Sequence, residues 1–156
     1  PKLSTINARV ETIATAATYR TPWKRGQRCI LPATGFYEWQ VRESGKQPWY
    51  IHLADQPVFG LAGLWDASVA ADGGVLESCT IITMPASPFM AEIHNSKARM
   101  PAILRREDHD VWLAGDAAAA LDCVQPYAES QMLAHTVSTA VNSPRNNLAR
   151  LIEPAP

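Results

Sequence analysis

The stretch RCILPATGFYEWQ, residues 28–40, decides the fold class. Residues 29–32 and residues 36–40 are rich in the apolar and aromatic side chains typical of strands, and a turn at Gly35 separates them. Alternation along the second strand places Glu38 on a face that is otherwise largely apolar. The stretch therefore predicts two successive strands, the second of which carries a carboxylate in surroundings that disfavour its charge.

Short strands and short helices are predicted on either side of this stretch. The further strands are residues 49–53, 58–65, 78–84 and 132–138, with turns at residues 43–46 and 72–74. The helices are residues 87–94, 106–113 and 116–123, and a weak helix over residues 7–19 with Asn7 as its cap. We expect a single α+β domain over residues 1–156. Its sheet is expected to be curved, mostly antiparallel and barrel-like or sandwich-like, with short flanking helices.

Composition excludes several classes of protein. The longest apolar run, residues 58–65, is far shorter than the roughly 18 residues that a membrane-spanning helix needs. The three cysteines form no Cys-x-x-Cys pair, and three of the four histidines stand singly without ligand-like spacing. We expect no membrane insertion, no metal and no cofactor, and a reducing compartment.

The net charge of −1 conceals an asymmetry between the two halves of the chain. Residues 1–50 contain eight basic and three acidic side chains, whereas residues 51–156 contain six basic and twelve acidic ones. Aromatic and basic residues also alternate in the first half: Tyr19, Trp23, Trp39, Trp49 and Tyr50 stand among Arg20, Lys24, Arg25, Arg28 and Lys46. This alternation suits single-stranded nucleic acid, although at least half of these aromatic residues are expected in the core.

Two polar positions besides Glu38 are candidates for chemistry. A carboxyl group on an apolar face has a raised pKa and can donate a proton near neutral pH. The alternative interpretation is that Glu38 lies at a strand edge and simply reaches solvent. His94 ends a predicted helix, just before a loop that contains Arg99, and it can serve either structure or proton transfer. Asn7 is explained by helix capping alone. Cys79 is expected to be a small buried apolar residue rather than a nucleophile.

Three motifs, taken in order, resemble the SRAP family, the SOS-response-associated peptidase-like proteins. They are Asn7-Ala-Arg9-x-Glu11-Thr12, the segment RCILPAxGFYEW over residues 28–39, and His94 followed by Arg99-Met100-Pro101. A later Val141-Asn142-x-Pro144-Arg-Asn pattern extends the resemblance toward Glu153. The resemblance implies a mixed α/β fold and a protein that binds abasic sites in single-stranded DNA and attaches to them covalently.

The resemblance also implies roles for individual residues. Asn7 would orient the reacting groups, Glu38 would be the acid–base group, and His94 would assist sugar opening and proton transfer. The DNA-binding residues implied by the same motifs are Arg9, Trp39, Arg99 and Met100. A monomer in the bacterial cytoplasm, acting at nucleoid DNA, is the expected setting.

The family's nucleophile is a cysteine at the mature N-terminus, and this chain begins with Pro1. We expect the sequence to lack the family's N-terminal segment, which carries that cysteine. The secondary amine of Pro1 could instead form an iminium with an aldehyde. Two other functions stay open: an autoproteolytic or peptidase activity, and a noncatalytic remnant that binds single-stranded DNA. Whether this chain is itself an enzyme is left open by the sequence.

Overall fold

A computed structural model describes residues 5–155, and this part of the chain is a mixture of strands and short helices. The strands are β1 (Asn7–Arg9), β2 (Arg28–Ala33), β3 (Phe36–Arg42), β4 (Gly45–Leu53), β5 (Phe59–Val69), β6 (Val75–Pro85), β7 (Arg99–Pro101), β8 (Ile103–Leu104) and β9 (Met132–Thr136). The α-helices are α1 (Arg20–Lys24), α2 (Pro88–Ile93), α3 (His109–Ala114) and α4 (Ala117–Asp122). The predicted α+β class is confirmed.

The chain forms two compact units, each assembled from several segments. The first unit contains the described residues up to Pro32, together with Phe59–Met84 and Pro101–Tyr127. The second contains Ala33–Val58, Pro85–Met100 and the described residues from Ala128 onward. The single domain over residues 1–156 stays a prediction.

The first unit is built on a sheet with the strand order β1-β6-β5-β2. Strands β5 and β6 form an antiparallel hairpin, and its turn contains Gly73 at φ +84°, as the Asp-Gly-Gly signal predicted. Strand β8 also pairs antiparallel with β5. The fully buried side chains include Leu64, Ile82 and Trp112, which form the core of this unit.

The beginning of the chain differs from the prediction. Asn7 lies in strand β1, which pairs in parallel with β6 so that Asn7 is opposite Ile81. The helical turn that follows is a 3-10 turn over Val10–Thr12, and no side chain caps it. The prediction of Asn7 as a helix cap is therefore wrong, because pairing with a distant strand overrides the weak helical preference of this threonine-rich segment.

Part of the basic and aromatic alternation is core rather than surface. Trp23 and Tyr50 are both 7% exposed and Arg28 is 8% exposed, so none of the three offers a surface to nucleic acid. Cys79 is exposed, contrary to the expectation of a buried side chain. Burial raises the pKa of the neighbouring Cys29 thiol to about 11, with a smaller contribution from Cys79, so Cys29 is a neutral thiol at neutral pH.

The second unit is built on an antiparallel sheet with the order β3-β4-β9. Strands β3 and β4 are joined by a tight turn that ends at Gly45, whose φ of +118° suits glycine. Helix α2 begins as predicted, because the Ser87 side chain accepts a hydrogen bond from the backbone N–H of Met90. Among residues 5–155, no helix has the length and apolar character needed to cross a bilayer.

Candidate active site

Glu38 and His94 meet in the second unit. Glu38 is in the middle of β3, opposite Trp49 of β4, and His94 is the residue that ends α2. The His94 Nδ1 atom lies 3.3 Å from Glu38 Oε2, and the two side chains are 16% and 19% exposed respectively. The structure thus pairs an imidazole with a carboxyl group in a position that is mostly, but not completely, removed from solvent.

A second contact assigns the tautomer of His94. The Nδ1 atom lies 2.9 Å from the backbone carbonyl oxygen of Arg99. A carbonyl oxygen only accepts hydrogen bonds, so we assign the hydrogen to Nδ1, which donates it to Arg99. In the neutral imidazole the other nitrogen, Nε2, then carries the lone pair and is able to accept a proton from a substrate.

Burial raises the pKa of the Glu38 carboxyl above its ordinary value. Three smaller effects oppose this shift: the charge of His94, a hydrogen bond from the backbone N–H of Trp39, and the charge of Lys97. The raised pKa keeps Glu38 protonated at a higher pH than an exposed glutamate. The carboxyl group is therefore suited to donating a proton, as the apolar face of the strand predicted.

Two side-chain amides tie the end of α2 to strand β3. Gln40 donates from Nε2 to the carbonyl oxygen of Glu92, at 2.9 Å. Asn95 makes a reciprocal pair with the backbone of Val41: its Oδ1 accepts from the N–H and its Nδ2 donates to the carbonyl, both at 2.9 Å. Since β3 is the outer strand of its sheet, Asn95 replaces the missing neighbouring strand. These bonds hold His94 beside Glu38.

Replacing Asn95 with alanine is expected to lower the free energy of unfolding by about 1–2 kcal/mol, because two exposed hydrogen bonds are lost. It should also release His94 from its single tautomer. Urea denaturation measures the first effect, and nitrogen chemical shifts of the His94 imidazole measure the second. Asn147→Ala, in an exposed loop, is the control. A destabilised Asn95→Ala protein with unchanged His94 shifts would contradict the positioning role.

The indole of Trp39 is also held in place within this unit. Its Nε1 donates to Asn142 Oδ1 at 2.7 Å, which links the GFYEW segment to the later Val-Asn pattern. Trp39 is half-buried, and so is Arg99, so both retain exposed atoms. Met100 is only 1% exposed and packs in the core, which corrects the expectation that it touches DNA.

Asn7 and Arg9 belong to the first unit, where both are exposed. The backbone carbonyl of Asn7 accepts a hydrogen bond from the Tyr19 hydroxyl at 3.1 Å. Pro1 lies outside the described residues. Among residues 5–155, no group of three or more histidine, cysteine or acidic side chains is arranged to hold a metal ion.

Gln40, Asn95, Lys97 and Asn142 were not singled out as site residues from the sequence. Alternation does place Gln40 on the same face as Glu38, and Asn142 lies in the pattern at residues 141–146. Both residues could therefore have been found from the sequence. Asn95 and Lys97 belong to the polar loop after His94, which is of a kind suited to phosphate, but a loop sequence does not show which strand its side chains will meet.

Comparison with known proteins shows the family to which this chain belongs. The model of the family described as SOS response associated peptidase (SRAP) matches residues 1–144. The chain belongs to the SRAP family. The Glu38–His94 pair joins two of the three motifs that carried the resemblance, within one unit.

Several curated SRAP relatives are similar over most of this chain. The abasic site processing protein YoqW of Bacillus subtilis is 40% identical over 152 residues, which are 95% of this chain and 66% of that protein. The abasic site processing protein YedK of Escherichia coli is 34% identical over 96% of this chain and 67% of its own length. The abasic site processing protein HMCES of Gallus gallus is 33% identical over 98% of this chain and 51% of its own length.

Solved structures show the same fold. A protein from Bacteroides thetaiotaomicron matches with a TM-score of 0.89 and 32% identity, over 97% of this chain and 66% of that one. A protein from Bordetella bronchiseptica matches with a TM-score of 0.83 and 33% identity, over 88% of this chain and 67% of that one. The chain therefore spans between about half and two thirds of the length of the proteins it matches.

Proposed function

We propose that this chain supplies acid–base groups for the processing of abasic sites in single-stranded DNA. The observation that carries the proposal is the contact of 3.3 Å between His94 Nδ1 and Glu38 Oε2, within a unit that buries most of both side chains. The names of the relatives, abasic site processing proteins, support abasic sites as the substrate. The chain belongs to the SRAP family, so its similarity to these relatives is that of members of one family.

The pair is suited to the capture of an aldehyde. An abasic site in its open-chain form presents an aldehyde, and an amine that attacks it must lose a proton while the carbonyl oxygen gains one. Glu38, whose pKa is raised by burial, donates to the oxygen. His94 accepts through Nε2 while the Arg99 carbonyl holds its Nδ1–H. Asn7, in this proposal, orients the reacting groups.

The remaining motif residues bind the DNA in this proposal. Arg9 and Arg99 grip phosphates around the lesion, and Trp39, held by Asn142, lies beside the site. The protein acts as a monomer. Covalent crosslinking through an N-terminal cysteine, which the family resemblance implies, would take place on a protein that contains that residue.

Fluorescence anisotropy with a single-stranded oligonucleotide tests the proposal. The oligonucleotide carries one tetrahydrofuran residue, an abasic analogue without an aldehyde, and is compared with unmodified DNA. We expect tighter binding to the analogue. Arg99→Ala should weaken binding by about tenfold, because one phosphate contact is lost. The slope of the logarithm of the binding constant against the logarithm of the salt concentration should become shallower by about one. Arg150→Ala, which removes an exposed arginine of the same unit, is the control.

Two outcomes would overturn this function. Steep salt dependence with equal affinity for abasic and unmodified DNA would indicate a noncatalytic remnant. Cleavage of a peptide substrate that disappears in a Glu38→Gln variant, without any preference for abasic DNA, would indicate a peptidase.

A further inference from the structure

Three exposed basic residues form a cluster at helix α1 of the first unit. They are Arg20 and Lys24 within α1 and Arg25, the residue that ends it. The sequence contains no acidic residue between Glu11 and Glu38. Among residues 5–155, no carboxylate lies within ion-pair distance of any of the three, and their side chains make no hydrogen bond. This basic cluster therefore presents positive charge that no neighbouring acid neutralises.

Helix α1 is anchored in the core of this unit by its indole side chain. Trp23 is 7% exposed, and its ring centre lies 6.2 Å from that of the fully buried Trp112. The central carbon of the Arg28 guanidinium lies 5.7 Å from the Trp23 ring centre. The basic cluster is thus carried by a helix whose buried side is fixed. Because the indole is buried, it offers no surface on which a DNA base could stack.

The side chains of the basic cluster line a hollow of about 750 Å³ beside α1. The rest of its lining is uncharged and consists of Ala14, Thr21 and Trp23. Arg20 and Lys24 are one helical turn apart, so their Cβ atoms are separated by about 5–6 Å. Guanidinium and ammonium groups are the side chains that bind phosphate oxygens in proteins. The hollow therefore suits a chain of phosphate groups rather than a neutral or cationic ligand.

Hydrogen bonds also join α1 to strand β1, which carries the first SRAP motif. Tyr19, the residue before α1, donates from its hydroxyl to the backbone carbonyl of Asn7 at 3.1 Å. Successive turns connect the two elements along the chain: the N–H of Ala16 donates to the Thr12 carbonyl at 2.8 Å, and the N–H of Arg20 donates to the Ala16 carbonyl at 2.9 Å. The basic cluster is therefore held at a fixed position beside that motif.

We propose that Arg20, Lys24 and Arg25 form a second phosphate-binding surface, which holds the sugar–phosphate backbone of the DNA that flanks an abasic site. The inference rests on the proposed function, in which Arg9 of the same unit binds phosphates around the lesion. It extends the contact with DNA to a helix outside the three SRAP motifs. Since the aromatic residue of α1 is buried, this surface contacts phosphates and not bases, and its contribution is independent of DNA sequence and of the lesion.

Salt titrations of the double variant Arg20→Gln/Lys24→Gln test this surface. Fluorescence anisotropy measures its affinity for the tetrahydrofuran oligonucleotide and for unmodified DNA of the same length. We expect the affinity for both DNAs to fall by at least about tenfold. The slope of the logarithm of the binding constant against the logarithm of the salt concentration should become shallower by about 1.4, because two single-strand phosphate contacts contribute about 0.7 each. The ratio of the two affinities should equal that of the wild type.

Two control variants separate this surface from other effects. Arg105→Gln/Arg106→Gln removes the same charge from exposed positions of the same unit and should bind within about twofold of the wild type. Arg20→Lys/Lys24→Arg exchanges the side chains but keeps both charges, so it should retain the wild-type slope.

The outcomes distinguish the surface from the proposed function. A wild-type slope in Arg20→Gln/Lys24→Gln, or an equal loss in Arg105→Gln/Arg106→Gln, would overturn the surface at α1 while the preference for abasic DNA stands. A loss confined to the tetrahydrofuran oligonucleotide would also overturn it, because the cluster would then contact the lesion and not the flanking backbone. Equal binding of abasic and unmodified DNA by the wild type would overturn the proposed function itself.

Discussion

Glu38→Gln is expected to reduce the rate of aldehyde capture by about 10²–10⁴-fold, the usual contribution of a general acid. Glutamine preserves the shape of the side chain but has no carboxylic proton to give to the carbonyl oxygen. The affinity for single-stranded DNA that carries the tetrahydrofuran analogue should change by less than about twofold, because the substitution removes no positive charge. Single-turnover trapping with cyanoborohydride measures the rate, and fluorescence anisotropy measures the affinity.

The matched control is Glu92→Gln, which makes the same change at an exposed position of α2. This variant should trap at the wild-type rate. A Glu38→Gln protein that traps as fast as the wild type, or that loses binding in proportion to rate, would remove Glu38 from the role of proton donor.

Because the pKa of Glu38 is raised, the difference in unfolding free energy between the wild type and Glu38→Gln is expected to depend on pH. The folded state holds the proton more tightly than the unfolded state, so the stability contributed by protonated Glu38 is complete below the pKa of the unfolded chain. It is lost as the pH rises through the higher pKa of the folded state. The unfolding free energy of the wild type relative to Glu38→Gln should therefore fall as the pH rises above about 4.3, the value for an exposed glutamate. Urea titrations at several pH values measure this difference.

Arg28→Met is expected to lower the free energy of unfolding by about 3–5 kcal/mol, the largest effect on stability among the substitutions considered. The buried guanidinium donates to the backbone carbonyls of Trp112 and Gly115. Its central carbon lies 5.7 Å from the ring centre of Trp23 and 5.9 Å from that of Trp112. Methionine fills much of the volume but leaves two carbonyl groups without their donors and removes both cation–π contacts. Thermal and urea denaturation measure the loss.

Arg105→Met serves as the control, because Arg105 is exposed and its replacement should change stability by less than about 0.5 kcal/mol. An intermediate loss is expected for Arg28→Lys, which keeps the charge but not the fork of donors. A loss of under about 1 kcal/mol in Arg28→Met would show that solvent replaces the guanidinium at the two carbonyls.

Much of the fold could be predicted because its signals are local. Alternating side chains and a glycine turn predict β3 and β4, Asp-Gly-Gly predicts the β5–β6 hairpin, and Ser87-Pro88 predicts the start of α2. Each of these signals depends on hydrogen bonds and dihedral angles within a few residues, which the sequence displays directly.

The incorrect predictions share a different physical cause. The parallel pairing of β1 with β6 joins distant segments, so the short stretch at Asn7 gives no sign of it. Burial depends in the same way on what packs above a side chain. Arg28 and Met100 are in the core and Cys79 is at the surface for reasons that no local pattern contains.

By itself the sequence determined which groups we propose for the chemistry, Glu38 and His94, and the apolar face of β3 already predicted a raised pKa for the carboxyl. Only the tertiary structure decided that the two groups meet at 3.3 Å and that His94 holds its hydrogen on Nδ1. The physical reason is that residue chemistry and short-range periodicity are properties of neighbouring residues. The approach of α2 to the outer edge of β3 instead depends on hydrogen bonds, such as those of Asn95 to Val41, that form only when distant segments are folded together.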